Sequence, residues 1–178
     1  MKIIKTDIEG VVIIEPRVFV DERGYFFESF SHQKFIEGVT NTNFVQDNES
    51  HSVYGVVRGL HFQRDPFAQA KLVRAIKGLI LDVAVDIRKD SPTFGKHVTV
   101  ELSDENKRQL FIPRGFAHGL AVLSQEAIVS YKCDNYYDPQ SEGSILWSDP
   151  QLNIDWKLNA NDIILSAKDK ESPVLKEI

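Results

Sequence analysis

The sequence holds one cysteine, Cys133, so no internal disulfide can brace the chain, and that usage fits a reducing compartment. It has no apolar run of membrane-spanning length. Met1-Lys2-Ile3-Ile4-Lys5 is followed at once by Asp7 and Glu9, carboxylates that interrupt the apolar stretch of a secretory leader. A cytoplasmic protein with no membrane partner is therefore expected. Runs of Lys or Arg are missing as well, and the formal charge is −5. That balance argues against nucleic acid as the main partner, while leaving room for a local basic pocket. There is no repeat at solenoid periods, no low-complexity block, no linker and no glycine-rich dinucleotide fingerprint. Helical periodicity is nearly absent too.

What the sequence does contain is a succession of short β-rich runs separated by turn residues, within a length of 178 residues that suits one domain spanning 1–178. The runs are Val11–Glu15, Asn43–Asn48, Val56–Gln63, Lys71–Lys77, Leu79–Arg88, His97–Leu102, Gln109–Pro113, Gly119–Leu123 and Ile128–Lys132. One helix is expected over Gln33–Glu37, capped by Ser31 and stopped by Gly38. In Leu79–Arg88 the odd positions are all apolar, while the even positions run Ile80, Asp82, Ala84, Asp86 and Arg88. Such alternation predicts one face packed on another sheet and one facing a polar space. Many strands and few helices predict an all-β jelly-roll barrel with short helices and tail segments, Trp147 and Trp156 covering one end.

Two segments stand out chemically: Arg58-Gly59-Leu60-His61-Phe62-Gln63, followed by Lys71 and Gly78, and Pro113-Arg114-Gly115-Phe116-Ala117-His118. Together they resemble the two motifs of the cupin superfamily, whose barrels bind a metal through His-x-His, a Glu and a later His. Here Gln63 replaces the second His, and Lys71 stands where the Glu is expected. A lysine ammonium has no lone pair to offer a cation and repels it, so no metal is expected. A cation at that place suits an enolate oxygen instead. His61, which shares a strand face with Gln63, supplies a base of suitable pKa beside it. Taken singly, His61 reads as a satisfied core histidine and Lys71 as a surface lysine; the joint spacing with the later motif is what favours a site. Arg58 has the opposite parity to His61, so a bulge at Gly59 is needed to turn both toward a ligand.

The resemblance then becomes specific. Asp21-Glu22-Arg23-Gly24, Phe44-Val45-Gln46-Asp47-Asn48, the Arg58–Gln63 segment, Lys71-Leu72-Val73-Arg74, Asp82–Arg88, Ser91-Pro92-Thr93-Phe94-Gly95, Ile112–Gly119, Tyr131-Lys132 with Asn135-Tyr136-Tyr137, and Ser166-Ala167-Lys168-Asp169 resemble, in order, the dTDP-4-dehydrorhamnose 3,5-epimerases. By that resemblance His61 is the base, Asp169 orients it, Tyr131 is the acid on the other side of the sugar ring, and Lys71 stabilises the oxyanion. It also implies that Arg23, Glu28, Gln46, Asp47, Asn48, Arg58, Lys71, His118, Glu142 and Lys168 lie along the substrate, with Tyr137 stacked on thymine. Singly, Asp169, Glu142 and Lys168 read as surface charges, Arg23 as a turn residue, and Tyr131 and Tyr137 as packing. The implied enzyme needs no cofactor, takes a nucleotide-sugar substrate (dTDP-4-dehydro-6-deoxyglucose) and is a homodimer whose N-terminal strands reach across to the partner.

The chain departs from the family pattern at two places. Gln46-Asp47-Asn48-Glu49-Ser50 stands where Gln-Asp-Asn-His-Ser is usual, with His51 two places later, and Ala70 replaces a common glycine. Neither touches the implied base or acid; both bear on loop shape. Three competing readings are an epimerase that inverts only carbon 3 or carbon 5 or acts on a sugar linked to another nucleotide, a metal-dependent cupin, and a non-catalytic sugar-binding jelly roll.

Overall fold

The alternating runs pair into two antiparallel sheets, described by a computed structural model covering residues 1–178. The six-stranded sheet follows the order β1 (Lys2–Lys5), β2 (Val12–Glu15), β10 (Gln109–Ile112), β7 (Lys71–Lys77), β12 (Glu126–Cys133) and β5 (Gln46–Val53). The five-stranded sheet is ordered β13 (Glu142–Ser144), β6 (Val57–Gln63), β11 (Phe116–Val122), β8 (Leu79–Asp86) and β9 (His97–Ser103). A separate hairpin joins β3 (Phe19–Asp21) to β4 (Gly24–Phe26). The expected helix forms as α1 (His32–Gly38), where the Ser31 hydroxyl accepts the Lys34 N–H. A second short helix, α2 (Ala167–Lys170), is capped by Ser166.

Apolar burial is divided among three clusters. Between the sheets, Val73, Ala75, Leu110, Ile112 and Val129 pack on Ile80, Ala84, Val100, Leu102, Leu120 and Val122. On the outer face of the five-stranded sheet, Leu60, Leu81, Val83, Val85 and Ala117 are covered by Ile145, Leu152, Trp156 and Leu175 of the C-terminal segment. Phe35 of α1 closes the outer face of the other sheet over Ile14, Leu72 and Phe111.

This arrangement corrects two expectations. The apolar odd positions of β8 lie under the C-terminal segment, and it is the mixed even face, with Ile80 and Ala84, that meets the opposite sheet. The reason is that β8 sits inside its sheet and is covered on both faces, so every residue from Ile80 to Asp86 is buried. Trp147 and Trp156 accordingly cover that outer face rather than an end of the barrel; the Trp156 indole N–H donates to the Trp147 carbonyl at 2.9 Å.

A bulge interrupts β6 at the place its chemistry requires. His61 pairs with His118 and Arg58 with Leu120, so three steps on β6 match two on β11. Gly59 lies in the bulge with φ +126°, where a Cβ would stand 2.6 Å from the Gly119 Cα and 2.8 Å from the His118 carbonyl oxygen. Both obstacles are backbone, so they cannot swing aside. Gly59→Ala is expected to lower the thermal midpoint by roughly 5 °C, a cost of about 2 kcal/mol. An unchanged melting curve would contradict this view of the bulge.

Candidate active site

The bulge, the register of β6 with β11 and the capped α2 bring ionisable side chains from distant parts of the chain to one cavity of about 250 Å³, lined by residues of β5, β6, β7, β12 and β13. His61 stands half-buried on β6, and its Nε2 lies 2.6 Å from Asp169 Oδ1 of α2. Asp169 is buried; its N–H donates to the capping Ser166 hydroxyl at 3.1 Å, which fixes the carboxylate beneath the imidazole. Burial alone would raise the Asp169 carboxyl. The His61 hydrogen bond and charge, with help from Ser166 and the Gly59 N–H, outweigh it and hold the group below its ordinary value. A carboxylate partner places the imidazole proton on Nε2 and leaves Nδ1 free to accept another.

The cross-strand neighbour of His61 forms a second such pair. His118 Nε2 lies 2.7 Å from Asp82 Oδ1, with both residues buried. Burial pushes the His118 imidazole down, Asp82 opposes that, and Lys71 and His61 add to it, so the ring is neutral near pH 7. The other Asp82 oxygen is buried without a hydrogen-bond partner. Asp82 was not among the sequence candidates. Its one signal was a carboxylate in the middle of a mostly apolar strand, on the same face as Asp86.

Facing the imidazoles across the barrel are Tyr131 on β12 and Lys71 on β7. The Tyr131 and His118 rings meet edge-on at 6.5 Å between centroids. Burial raises the Tyr131 phenol, the neighbouring Cys133 adds to this, and Arg58 opposes it, so the hydroxyl stays protonated at neutrality. Lys71 Nζ is 5.7 Å from the centre of that ring and makes no ion pair or hydrogen bond. Burial pulls the ammonium below its ordinary value, against the attraction of Cys133, Asp82 and Glu142. Arg58 is turned by the bulge toward the opposite sheet, where its Nε donates to the Ser52 hydroxyl of β5 at 3.0 Å.

The four positions that would ligate a metal in a cupin barrel are thus His61, Gln63, Lys71 and His118, and they do not suit one. Lys71 offers a positive charge, both imidazoles are engaged by carboxylates, and the buried Gln63 amide is committed to backbone groups of Phe67, Tyr136 and Asp138.

Most of the substrate-binding candidates gather at the cavity. Gln46 and Asn48 line it from β5, linked by a hydrogen bond of 3.1 Å. At the mouth, Glu142 accepts from Tyr137 Oη at 3.0 Å and from Lys168 Nζ at 2.6 Å. Burial would raise Glu142, but those two partners hold it below its ordinary value. Phe62 and Gln69 also line the cavity, and neither was a candidate.

Three candidates lie elsewhere within the chain. Asp47 points to the opposite face of β5 from Gln46 and Asn48 and pairs with Lys132 at 2.9 Å, a consequence of strand parity. Arg23 is exposed at the hairpin tip and paired with Asp21; Glu28 is paired with Lys34 of α1 at 2.8 Å.

The same arrangement of strands belongs to known proteins. A family profile described as dTDP-4-dehydrorhamnose 3,5-epimerase matches residues 5–177. The chain is similar to the dTDP-4-dehydrorhamnose 3,5-epimerase of Shigella flexneri, with 57% identity over 95% of this chain and 93% of that one. It is also similar to the enzyme of that name from Methanothermobacter thermautotrophicus, with 54% identity over 99% and 95% of the two chains. Among solved structures, the dTDP-6-deoxy-D-glucose-3,5-epimerase of Legionella pneumophila in complex with dTDP-4-keto-L-rhamnose superposes with a TM-score of 0.96, at 52% identity over 99% of this chain and 94% of that one. With a two-sheet barrel, a histidine–aspartate pair under a lysine-containing cavity, and likeness along nearly the whole length, the chain belongs to the dTDP-4-dehydrorhamnose 3,5-epimerase family.

Proposed function

We propose that the chain is an isomerase that inverts carbons 3 and 5 of dTDP-4-dehydro-6-deoxy-D-glucose, giving dTDP-4-dehydro-L-rhamnose for dTDP-L-rhamnose biosynthesis. The observation that carries this reading is the pairing of His61 with Asp169 on one wall of a cavity whose other wall holds Tyr131 and Lys71.

The chemistry follows from the positions of the charges. Both target carbons flank the carbon-4 ketone, so loss of either proton places negative charge on the same oxygen. His61 Nδ1 takes the proton, and Asp169 stabilises the imidazolium that results. The unpaired Lys71 ammonium stabilises the enolate oxygen; with no carboxylate bound to it, its full field is available as charge develops. Tyr131, held protonated, returns a proton from the opposite side of the ring, which inverts the centre. No electron leaves or enters the sugar. Arg58 and Lys168 serve the diphosphate, Glu142, Gln46, Asn48 and His118 the polar groups of the ligand, and Tyr137 the thymine ring.

The β3–β4 hairpin supports a homodimer. It exposes Val20 (78%) and Phe26 (70%) beside Phe19 and Tyr25, apolar area that a second copy would cover. In the proposed dimer the hairpin reaches the partner and brings Arg23 and Glu28 to the partner's cavity, which explains why they stand apart from it here. No helix is long and apolar enough to cross a membrane, and we place the enzyme in the cytoplasm with its nucleotide-sugar substrate.

The test is the stereochemistry of the product. Chelator-treated enzyme is expected to convert the substrate to a sugar whose ring-proton couplings report inversion at both carbons. Inversion at one carbon would make it a mono-epimerase, and turnover abolished by chelator and restored by a metal would overturn the lysine-centred account.

A further inference from the structure

We infer that Gln63 is a positioning residue that fixes the Tyr137 segment and thereby sets affinity for the nucleotide end of the substrate. The inference rests on the reading of Tyr137 as the residue stacked on the base. Gln63 is buried on β6, on the same face as His61. Its amide nitrogen donates to the Tyr136 carbonyl at 3.1 Å and its amide oxygen accepts the Asp138 N–H at 2.8 Å. It therefore grips the peptide groups on either side of Tyr137. The same nitrogen donates to the Phe67 carbonyl at 2.6 Å, which ties a second loop to the first.

The loop needs this bracket because it lies outside the ladders of both sheets. Tyr137 gives its own N–H to Gln46 Oε1 at 3.2 Å, and Tyr136 gives its N–H to the Asn135 side chain, so side chains shape this stretch. Tyr137 is more than half exposed, at 54%, so core packing does not hold it. Its direction depends on the backbone and on one hydroxyl bond to Glu142. A carboxamide is the one side chain of this length that donates two hydrogen bonds and accepts another. A glutamate has no donor, and a histidine has one donor and one acceptor on opposite edges of a rigid ring. The position that would ligate a metal in a cupin barrel thus serves as a two-loop clamp.

A double-mutant cycle on the full chain tests this, with dTDP binding measured by titration calorimetry and turnover on the sugar nucleotide. Gln63→Glu is expected to weaken dTDP and raise KM ~10-fold, with kcat changed less than ~3-fold. Gln63→Met, which keeps the length without adding charge, is expected to do the same and serves if the glutamate variant does not fold. In a Tyr137→Ala background either substitution is expected to add less than ~2-fold, because its effect passes through Tyr137. Fully additive losses, or a fall in kcat at unchanged KM, would overturn the inference while leaving the role of Tyr137 intact. If Tyr137→Ala alone leaves dTDP affinity unchanged, the stacking role fails, and the inference with it.

Discussion

Replacing His61 with asparagine is expected to lower kcat about 10³-fold or more, with KM changed far less. The imidazole is the one group in the cavity that combines an accessible lone pair with a carboxylate behind it, 2.6 Å from Nε2. An asparagine amide can still donate to Asp169, so the buried carboxylate keeps a partner and the fold is preserved. What disappears is the nitrogen proposed to take the proton. His118 cannot substitute, because it is buried and engaged by Asp82, and burial holds it below its ordinary value. A variant that keeps its thermal midpoint and loses turnover supports the assignment. A kcat within 10-fold of the parent would remove His61 from the base role.

The second large effect runs in opposite directions for activity and stability. Lys71→Met is expected to reduce kcat about 10²–10³-fold, the range seen when a single oxyanion donor is removed. The same substitution is expected to raise the thermal midpoint by a few degrees, about 1 kcal/mol, because it removes an ammonium that burial penalises and no carboxylate pairs. The sign agrees with linkage. Lys71 is depressed in the fold, so the folded chain binds this proton more weakly than the unfolded chain does. Its stability cost is fully present below the folded pKa and is relieved as pH rises toward the ordinary lysine value. Activity runs the other way: it is lost on the alkaline side as the ammonium is neutralised, at a pH below that of an exposed lysine. Lys71→Arg keeps a charge but not its compact shape, and is expected to recover little turnover. A Met variant that is both less stable and fully active would show that Lys71 is a structural residue.

The parts of the fold carrying an apolar pattern were legible in the sequence, and the rest were fixed by partners distant in the chain. From β6 to β12 the expected runs end within a few residues of the observed strands, and Ser31 caps α1 as its residue type suggests. β5 was expected at Asn43–Asn48 and instead runs Gln46–Val53. Its stretch Glu49-Ser50-His51-Ser52 has no apolar alternation, and eight paired positions with β12 hold it as a strand. The short strands β1, β3, β4 and β13 were missed because charged residues, glycine or serine break up the apolar pattern within their three or four residues.

The site divides in a similar way. His61, Lys71 and His118 sit in motifs whose spacing already implied a shared cavity, and the Gly59 bulge that Arg58 required is present. Asp169 could be placed by resemblance alone, since 108 residues separate it from His61 and a four-residue helix delivers it. Asp47 shows the limit of resemblance: strand parity sends its side chain away from the cavity that its neighbours line.

The central claim is proton abstraction by His61 at both carbons beside the ketone, and solvent exchange tests it most directly. Proton NMR of the sugar nucleotide with the enzyme in deuterium oxide, chelator present, is expected to show the proton signals at carbons 3 and 5 both replaced by deuterium, and neither replaced with His61→Asn. Exchange that persists in the His61→Asn enzyme, or a parent enzyme that exchanges neither carbon, would contradict the account.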